Sequence, residues 1–507
     1  MAAAQDLLQR RSRLTPAQRA LLEKRLSGGR GGRGEPAELA AAGEDEGSRI
    51  TPRPGHGPAP LSWGESRLWH FARRRPQSGA YNVYHAVALS GPLSPPALAA
   101  SLRVVVARHE ALWSRFTAEE GAVLGRTDPG LLPSGLPSGL PAIDLAGLPA
   151  ADRGPEGLRV AVELATPRFD PERGPLLRTA LLRTAAGEHA LLLAVHHLVI
   201  DGWSLAVLVR EVAAVYGELA AGRPSPLPAA AALQAADFAA WQRRRIADGA
   251  LAADLAWWRQ HLAGAAPAGP AWPARLQAPG GRSTRLLAAE LSEALKALAQ
   301  RERATLFVTL LAGFQAALHL HRAETGVILG VPMALRGRPE AAGIVGCLLN
   351  LLALRPDLGG DPTFAELLRR VRDTFLGAFT HREAPIEWLA RELAPQHDPG
   401  AVPWITVLFN MPSGGAGHAE PLRAHGLELA PLLTGEVGSE LDLTFHAREV
   451  PGGLRLDLGY NASVLAPGEP ERLLAGFAAL LEEAAAHPGR RLSELAGTMA
   501  TPVLKGN

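Results

Sequence analysis

Apolar and polar residues follow two different periods along this chain. Leu191 to Val195 is a continuous apolar run, the texture of a strand buried on both faces. Just beyond it, Leu205, Leu208, Val212 and Val215 fall on one side of a helix predicted over Ser204 to Ala221. Thr305 to Leu320 reads as a buried helix, and Val327 to Val331 predicts another strand. Near the N-terminus, Thr15-Pro16-Ala17-Gln18 supplies a cap, a first-turn proline and a capping-box glutamine. A short helix is predicted from Pro16 to Leu26, striped by Leu14, Leu21, Leu22 and Leu26 and ended by Gly28-Gly29. Helices and strands are mixed throughout, so the fold class is α/β (α+β).

Breaks in the pattern divide the chain. Gly28 to Gly57 is rich in Gly, Pro and charge and reads as linker. Leu131 to Pro141 carries a doubled Leu-Pro-Ser-Gly, too short for a repeat architecture, and reads as a surface loop. Gly222 to Ala230 and Ala263 to Gly281 are further Pro/Gly/Ala breaks. The break near residue 225 separates two lobes of similar size. The expected organisation is a basic N-terminal arm over residues 1–57, an N-terminal lobe over 58–228, a C-terminal lobe over 229–490 and a linker tail over 491–507.

Composition changes this picture in three places. The 507 residues hold 52 Lys+Arg against 50 Asp+Glu, a net +2 that does not suggest a nucleic-acid binder. That total conceals residues 1–34, where eight basic side chains face only Asp6 and Glu23. The arm is either a disordered leader or a docking helix for a partner protein. Only Lys24, Lys296 and Lys505 are lysines, a GC-rich coding bias that leaves arginine counts with little weight. The single cysteine, Cys347, rules out an intrachain disulfide framework and a multi-cysteine zinc site. No apolar run reaches the roughly 18 residues of a membrane span, so a monomer in the cytoplasm, off the membrane, is expected.

The candidate chemistry lies in Ala194-Val195-His196-His197-Leu198-Val199-Ile200-Asp201-Gly202-Trp203-Ser204. A buried strand ends in two histidines, and a turn then delivers an aspartate and a glycine to a helix start. Adjacent strand residues point to opposite faces, so one histidine at most faces a given cleft. Histidine is suited to proton transfer near neutrality. Gly202 permits close approach of a substrate to the backbone, and helix-start N–H groups can meet developing negative charge. Three readings compete: inert paired core histidines, a metal site at His197 and Asp201, and general-base catalysis. The metal reading lacks a third ligand nearby. Spacing alone leaves the first and third open.

The string His-His-x-x-x-Asp-Gly-Trp-Ser resembles the signature of condensation domains from nonribosomal peptide synthetases, within the chloramphenicol-acetyltransferase-like acyltransferase superfamily. Leu61-Ser62-Trp63-Gly64-Glu65-Ser66-Arg67-Leu68-Trp69 is similar to the family's opening motif, with Gly64-Glu65 in place of Ala-Gln. Arg108-His109-Glu110-Ala111-Leu112 with Phe116 resembles the second. Phe169-Asp170 and Gly174-Pro175-Leu176-Leu177-Arg178 resemble the lead-in to the histidines. Asp237-Phe238-Ala239-Ala240-Trp241, Val345-Gly346-Cys347-Leu348-Leu349-Asn350 and His381-Arg382-Glu383-Ala384-Pro385-Ile386-Glu387 follow in family order. Trp404 to Asn410 and Ser439-Glu440-Leu441-Asp442-Leu443 also keep the pattern.

The resemblance implies two acetyltransferase-like lobes in a V-shaped pseudo-dimer around a central tunnel. It implies acyl transfer between partners on carrier proteins, with no metal and no bound cofactor. Substrates would arrive on 4′-phosphopantetheine arms of a donor and an acceptor carrier, and the N-terminal arm would meet an upstream synthase subunit. His197 would face the tunnel as base or positioning group, with His196 and Asp201 structural. Arg336 matches the arginine that family members tie to that aspartate, and Asn350 would sit near the tunnel in the second lobe. Trp203 and Ser204 would pack the helix start. Two departures stand out: Leu112-Trp113-Ser114 replaces the usual Leu-Arg-Thr, and His397 to Pro403 keeps little of the usual motif there. Arg115 offers a substitute charge only in another direction. An epimerisation domain would carry Val-Ser-Trp after the glycine, and a heterocyclisation domain aspartates for the histidines. An ester-forming or free-amine-using relative, and a catalytically silent recruitment platform, remain alternatives.

Overall fold

A computed structural model describes residues 49–55, 57–119, 122–132, 140–265, 280–322, 326–412, 421–436, 440–463 and 465–498. The predicted helix over Pro16–Leu26, most of the basic arm, the doubled Leu-Pro-Ser-Gly, most of the Ala263–Gly281 break and the end of the tail lie outside these residues.

Two six-stranded sheets each organise a separate hydrophobic core. In the first, the order is Leu422–Ala424, Leu427–Glu436, Asn82–Ser90, Glu188–His196, Leu177–Ala185 and Ala142–Asp144. The apolar run Leu191–Val195 lies in Glu188–His196, one of its central strands, which explains why it lacks alternation: both faces are covered. Helix Ala150–Ala165 lies on one face, and Asn82 Nδ2 donates to the Ala165 carbonyl at 2.8 Å. Helix Gly202–Ala220 buries Leu205, Leu208, Val212 and Val215 and packs against Pro95–Arg108. It begins two residues before the predicted start, because Asp201 caps it by accepting the Ser204 N–H at 2.7 Å.

The second sheet runs Leu349–Leu354, Leu329–Ala334, Val407–Asn410, Leu443–Val450, Gly453–Asn461, Gly280–Ala288. Helix Leu306–Arg322 crosses its core with Val308, Leu310, Leu311, Ala312, Phe314, Ala316 and Ala317 all fully buried. Phe314, Phe409, Phe445 and Phe477 form the aromatic centre of this core. A third, small sheet joins Ala59–Pro60, Ala122–Thr127 and Ser114–Glu119.

Chain beyond the break near residue 225 returns to the first core in three places, the first of them Ala235, Phe238 and Trp241. Ala341, Ile344, Val345, Cys347 and Leu348 pack into it, as do Ala424, Leu427 and Leu429. Strand Leu427–Glu436 crosses from the second half and pairs antiparallel with Asn82–Ser90, shifting register between Pro431 and Leu433. Gly435 permits this approach, since a Cβ there would fall 2.3 Å from the Tyr84 ring. The histidine motif thus sits in a sheet completed by the other half of the chain.

Candidate active site

Strand Glu188–His196 delivers His196 as its last residue, and a short 3₁₀ turn, His197–Val199, follows. His196 is 5% exposed, and its Nδ1 accepts the Leu198 N–H at 3.1 Å. Burial, reinforced by the nearby His197, pushes its pKa down to about 3, so it stays neutral. The rings of Tyr81 and Phe169 flank it. This imidazole is a sealed turn-former.

His197 is half-buried, and its backbone N–H donates to the Tyr81 carbonyl at 2.8 Å. Its Nδ1 lies 2.8 Å from the Ile200 carbonyl. A carbonyl only accepts, so Nδ1 carries the proton and Nε2 presents a lone pair. Gly202, two residues past that carbonyl, is exposed, and a Cβ there would meet nothing within 4 Å. Open space therefore stands at the helix start beside the motif.

Asp201 is fully enclosed. Arg336 Nη2 donates to its Oδ1 and Oδ2 at 3.0 and 2.9 Å, Leu348 N–H to Oδ2 at 3.1 Å, and the Ser204 hydroxyl to Oδ1 at 2.7 Å. Arg336 Nη1 in turn donates to the carbonyls of Ala341 and Ile344 at 2.9 and 2.7 Å. The Gly346 N–H donates to Ser204 Oγ at 3.1 Å. Trp203, 46% exposed, donates from Nε1 to the Ala342 carbonyl at 2.9 Å. The whole group clamps segment 336–348 onto the helix start. Asn350 is 3% exposed, and both ends of its amide are engaged: Nδ2 donates to the Arg382 and Ala384 carbonyls, and Oδ1 accepts from Leu351 and Ile386 N–H. It fastens the turn that carries the His381 motif.

Three groups near the motif are brought together only by the fold. Arg67 Nε donates to Glu387 Oε1 at 3.0 Å and Nη1 to Glu440 Oε1 at 2.8 Å, while the Tyr81 hydroxyl also donates to Glu440. Burial raises the Glu440 carboxyl against the pull of Arg67. This cluster ties both lobes to Tyr81, whose carbonyl holds His197. Arg53 donates to Glu110 and Asp237 at 2.5 and 3.2 Å and is almost buried. It places a guanidinium beside Glu110, three residues before Trp113; Arg115 instead points outward to Asp128. His85, 4% exposed, is the third.

The family model for the condensation domain matches residues 56–500. The chain belongs to the condensation-domain family. It is 36% identical over 449 residues to a linear gramicidin synthase protein of Brevibacillus parabrevis, covering 87% of this chain and 6% of that one. The domain thus spans a small fraction of that relative's length. Among solved structures, the X-domain from teicoplanin biosynthesis matches with a TM-score of 0.75 at 26% identity, covering 88% of this chain and 99% of that one. The first condensation domain of the calcium-dependent antibiotic synthetase, in complex with a substrate analogue, matches with a TM-score of 0.71 at 26% identity. Coverage there is 86% of this chain and 98% of the other. Condensation domains have the mixed α/β, acetyltransferase-like fold described above.

Proposed function

We propose that this condensation domain forms an amide bond between an acyl or aminoacyl thioester on a donor carrier protein and an amine on an acceptor carrier. Both substrates are presented on 4′-phosphopantetheine arms, and the reaction takes place in the cytoplasm. The amine nitrogen attacks the thioester carbonyl, the C–N bond forms, the C–S bond breaks, and the amine proton ends on the departing thiol. His197 Nε2 accepts or orients that proton. The observation that carries this reading is the Nδ1–H to Ile200 carbonyl bond at 2.8 Å, which leaves Nε2 without a protein partner among the described residues. His196, Asp201, Arg336, Trp203, Ser204 and Asn350 hold the frame, and the N–H groups at the start of helix Gly202–Ala220 face developing oxyanion charge.

A thioester is already activated, so alignment carries much of the barrier, up to about 7–11 kcal/mol. Proton handling by His197 adds about 10²–10⁴-fold. The test is His197→Ala with two loaded carrier proteins and amide product followed by mass spectrometry. A fall in kcat within that range, with an unchanged melting temperature, supports the reading. Unchanged turnover overturns it and favours a recruitment role on the same fold.

A further inference from the structure

The sheet carries a second imidazole that acyl transfer does not use. In strand Asn82–Ser90, His85 stands opposite Leu193, and Val83 stands opposite Val195. The His197 N–H bonded to the Tyr81 carbonyl continues this register past the strand end. Side chains two apart share a face, so His85, Val83, Leu193 and Val195 line one side, towards the end where His197 follows. Burial, reinforced by His197, pushes the His85 pKa down to about 3.

On its other side His85 meets Thr434 of the crossing strand, directly opposite in register, with Nδ1 3.1 Å from Thr434 Oγ1. Thr434 is exposed, whereas His85 is 96% enclosed. Among the described residues nothing hydrogen-bonds His85 Nε2. A hydroxyl either donates or accepts, so Thr434 supports either tautomer and Nε2 offers a lone pair or an N–H as required. Nε2 is not sealed in: it keeps contact with accessible space, where a bound polar group can replace water as its hydrogen-bond partner.

We infer that His85 is a specificity-determining residue that hydrogen-bonds a polar side chain on the aminoacyl thioester. This rests on the acyl-transfer reading of the cleft. The substrate class it selects is an aminoacyl group ending in a hydroxyl or amide rather than an alkyl group. Thr434 is its positioning partner, supplied by the half of the chain that crosses over. An apolar isostere leaves Nε2 unpaired and is disfavoured by about 10–100-fold.

The test uses the full chain and two matched pairs of aminoacyl-pantetheine thioesters: asparaginyl against leucyl, and threonyl against valyl. Binding is measured by calorimetry, and turnover separately with loaded carriers. The wild-type domain is expected to bind the polar member of at least one pair about 10–100-fold more tightly. His85→Phe brings that ratio near one while leaving the apolar member's affinity unchanged, and His85→Gln retains part of it. If His85→Phe fails to fold, the comparison of wild type with His85→Gln and Thr434→Val decides. No polar preference in either pair, no binding of any thioester, or a preference that survives His85→Phe would overturn the assignment. Selective binding with no turnover in the wild type supports His85 and counts against acyl transfer alone.

Discussion

Arg336 places a single Nη2 between the two carboxylate oxygens of Asp201, at 3.0 and 2.9 Å, with both side chains 1% exposed or less. Asp201 belongs to the histidine motif and Arg336 lies 135 residues later, so this one ion pair locks the turn after His197 to chain from the other side of the break near residue 225.

Asp201→Asn is expected to cost about 3–5 kcal/mol of stability, because it strands a buried guanidinium. Arg336→Met is expected to cost a similar amount by stranding the carboxylate. The double variant should be more stable than the sum of the two, by well over 1 kcal/mol, as residues in one network are not additive. Denaturant unfolding of all four proteins checks this, and simple additivity would show that the pair is not energetically coupled.

Gly202→Val probes the open space beside the motif. A Cβ there touches nothing in the protein, so stability is expected to move by less than about 1 kcal/mol. The isopropyl group would project where substrate is proposed to lie. A displacement of about 1 Å from the reactive geometry is enough to cost about 10²-fold, so kcat/KM for amide formation is expected to fall by that order. Wild-type kinetics in a stably folded Gly202→Val protein would place the acyl group elsewhere.

Glu65 makes stability depend on pH in a direction unusual for a carboxylate. Burial raises its pKa from 4.5 to about 7, outweighing the opposing Ser62 hydrogen bonds and the Arg243 charge. Between those values the folded protein holds a proton that the unfolded chain has released. Stability therefore falls as pH rises from about 4.5 to 7, by about 1.4 kcal/mol per pH unit, and levels off above. Glu65→Gln keeps the capping geometry at Ser62 and removes the titration. Its gain over wild type is expected to be larger at pH 8 than at pH 5, by up to about 3 kcal/mol. Equal differences at the two pH values in chemical denaturation would refute the assignment.

Elements whose burial is continuous were legible from the chain. The run Leu191–Val195 lies within a strand, and Thr305–Leu320 lies within a helix from its second residue on, because enclosure selects apolar residues at most positions. The stripe of helix Gly202–Ala220 was equally plain, and only its cap shifted the start. Contacts set by long-range pairing left no local mark. Nothing near His85 indicates that Thr434 will stand opposite it, since register between strands some 349 residues apart is fixed by tertiary packing. Arg53 lies in a segment whose Gly, Pro and charge read as linker, yet its guanidinium meets Glu110 and Asp237. Asn350 stood out by position alone, and only the structure shows its amide saturated by the turn at 382–386.

The crossing strand also has a consequence for biosynthesis. Strand Asn82–Ser90 leaves the ribosome long before its neighbour Leu427–Glu436 exists. At about 5–20 residues per second, its outer edge waits on the order of tens of seconds with unpaired N–H and C=O groups. During that interval the nascent first lobe is a template for any other extended segment, including one from a second nascent copy. Synthesis of Leu427–Glu436 therefore does more than extend the chain: it closes the edge on which the first lobe would otherwise aggregate.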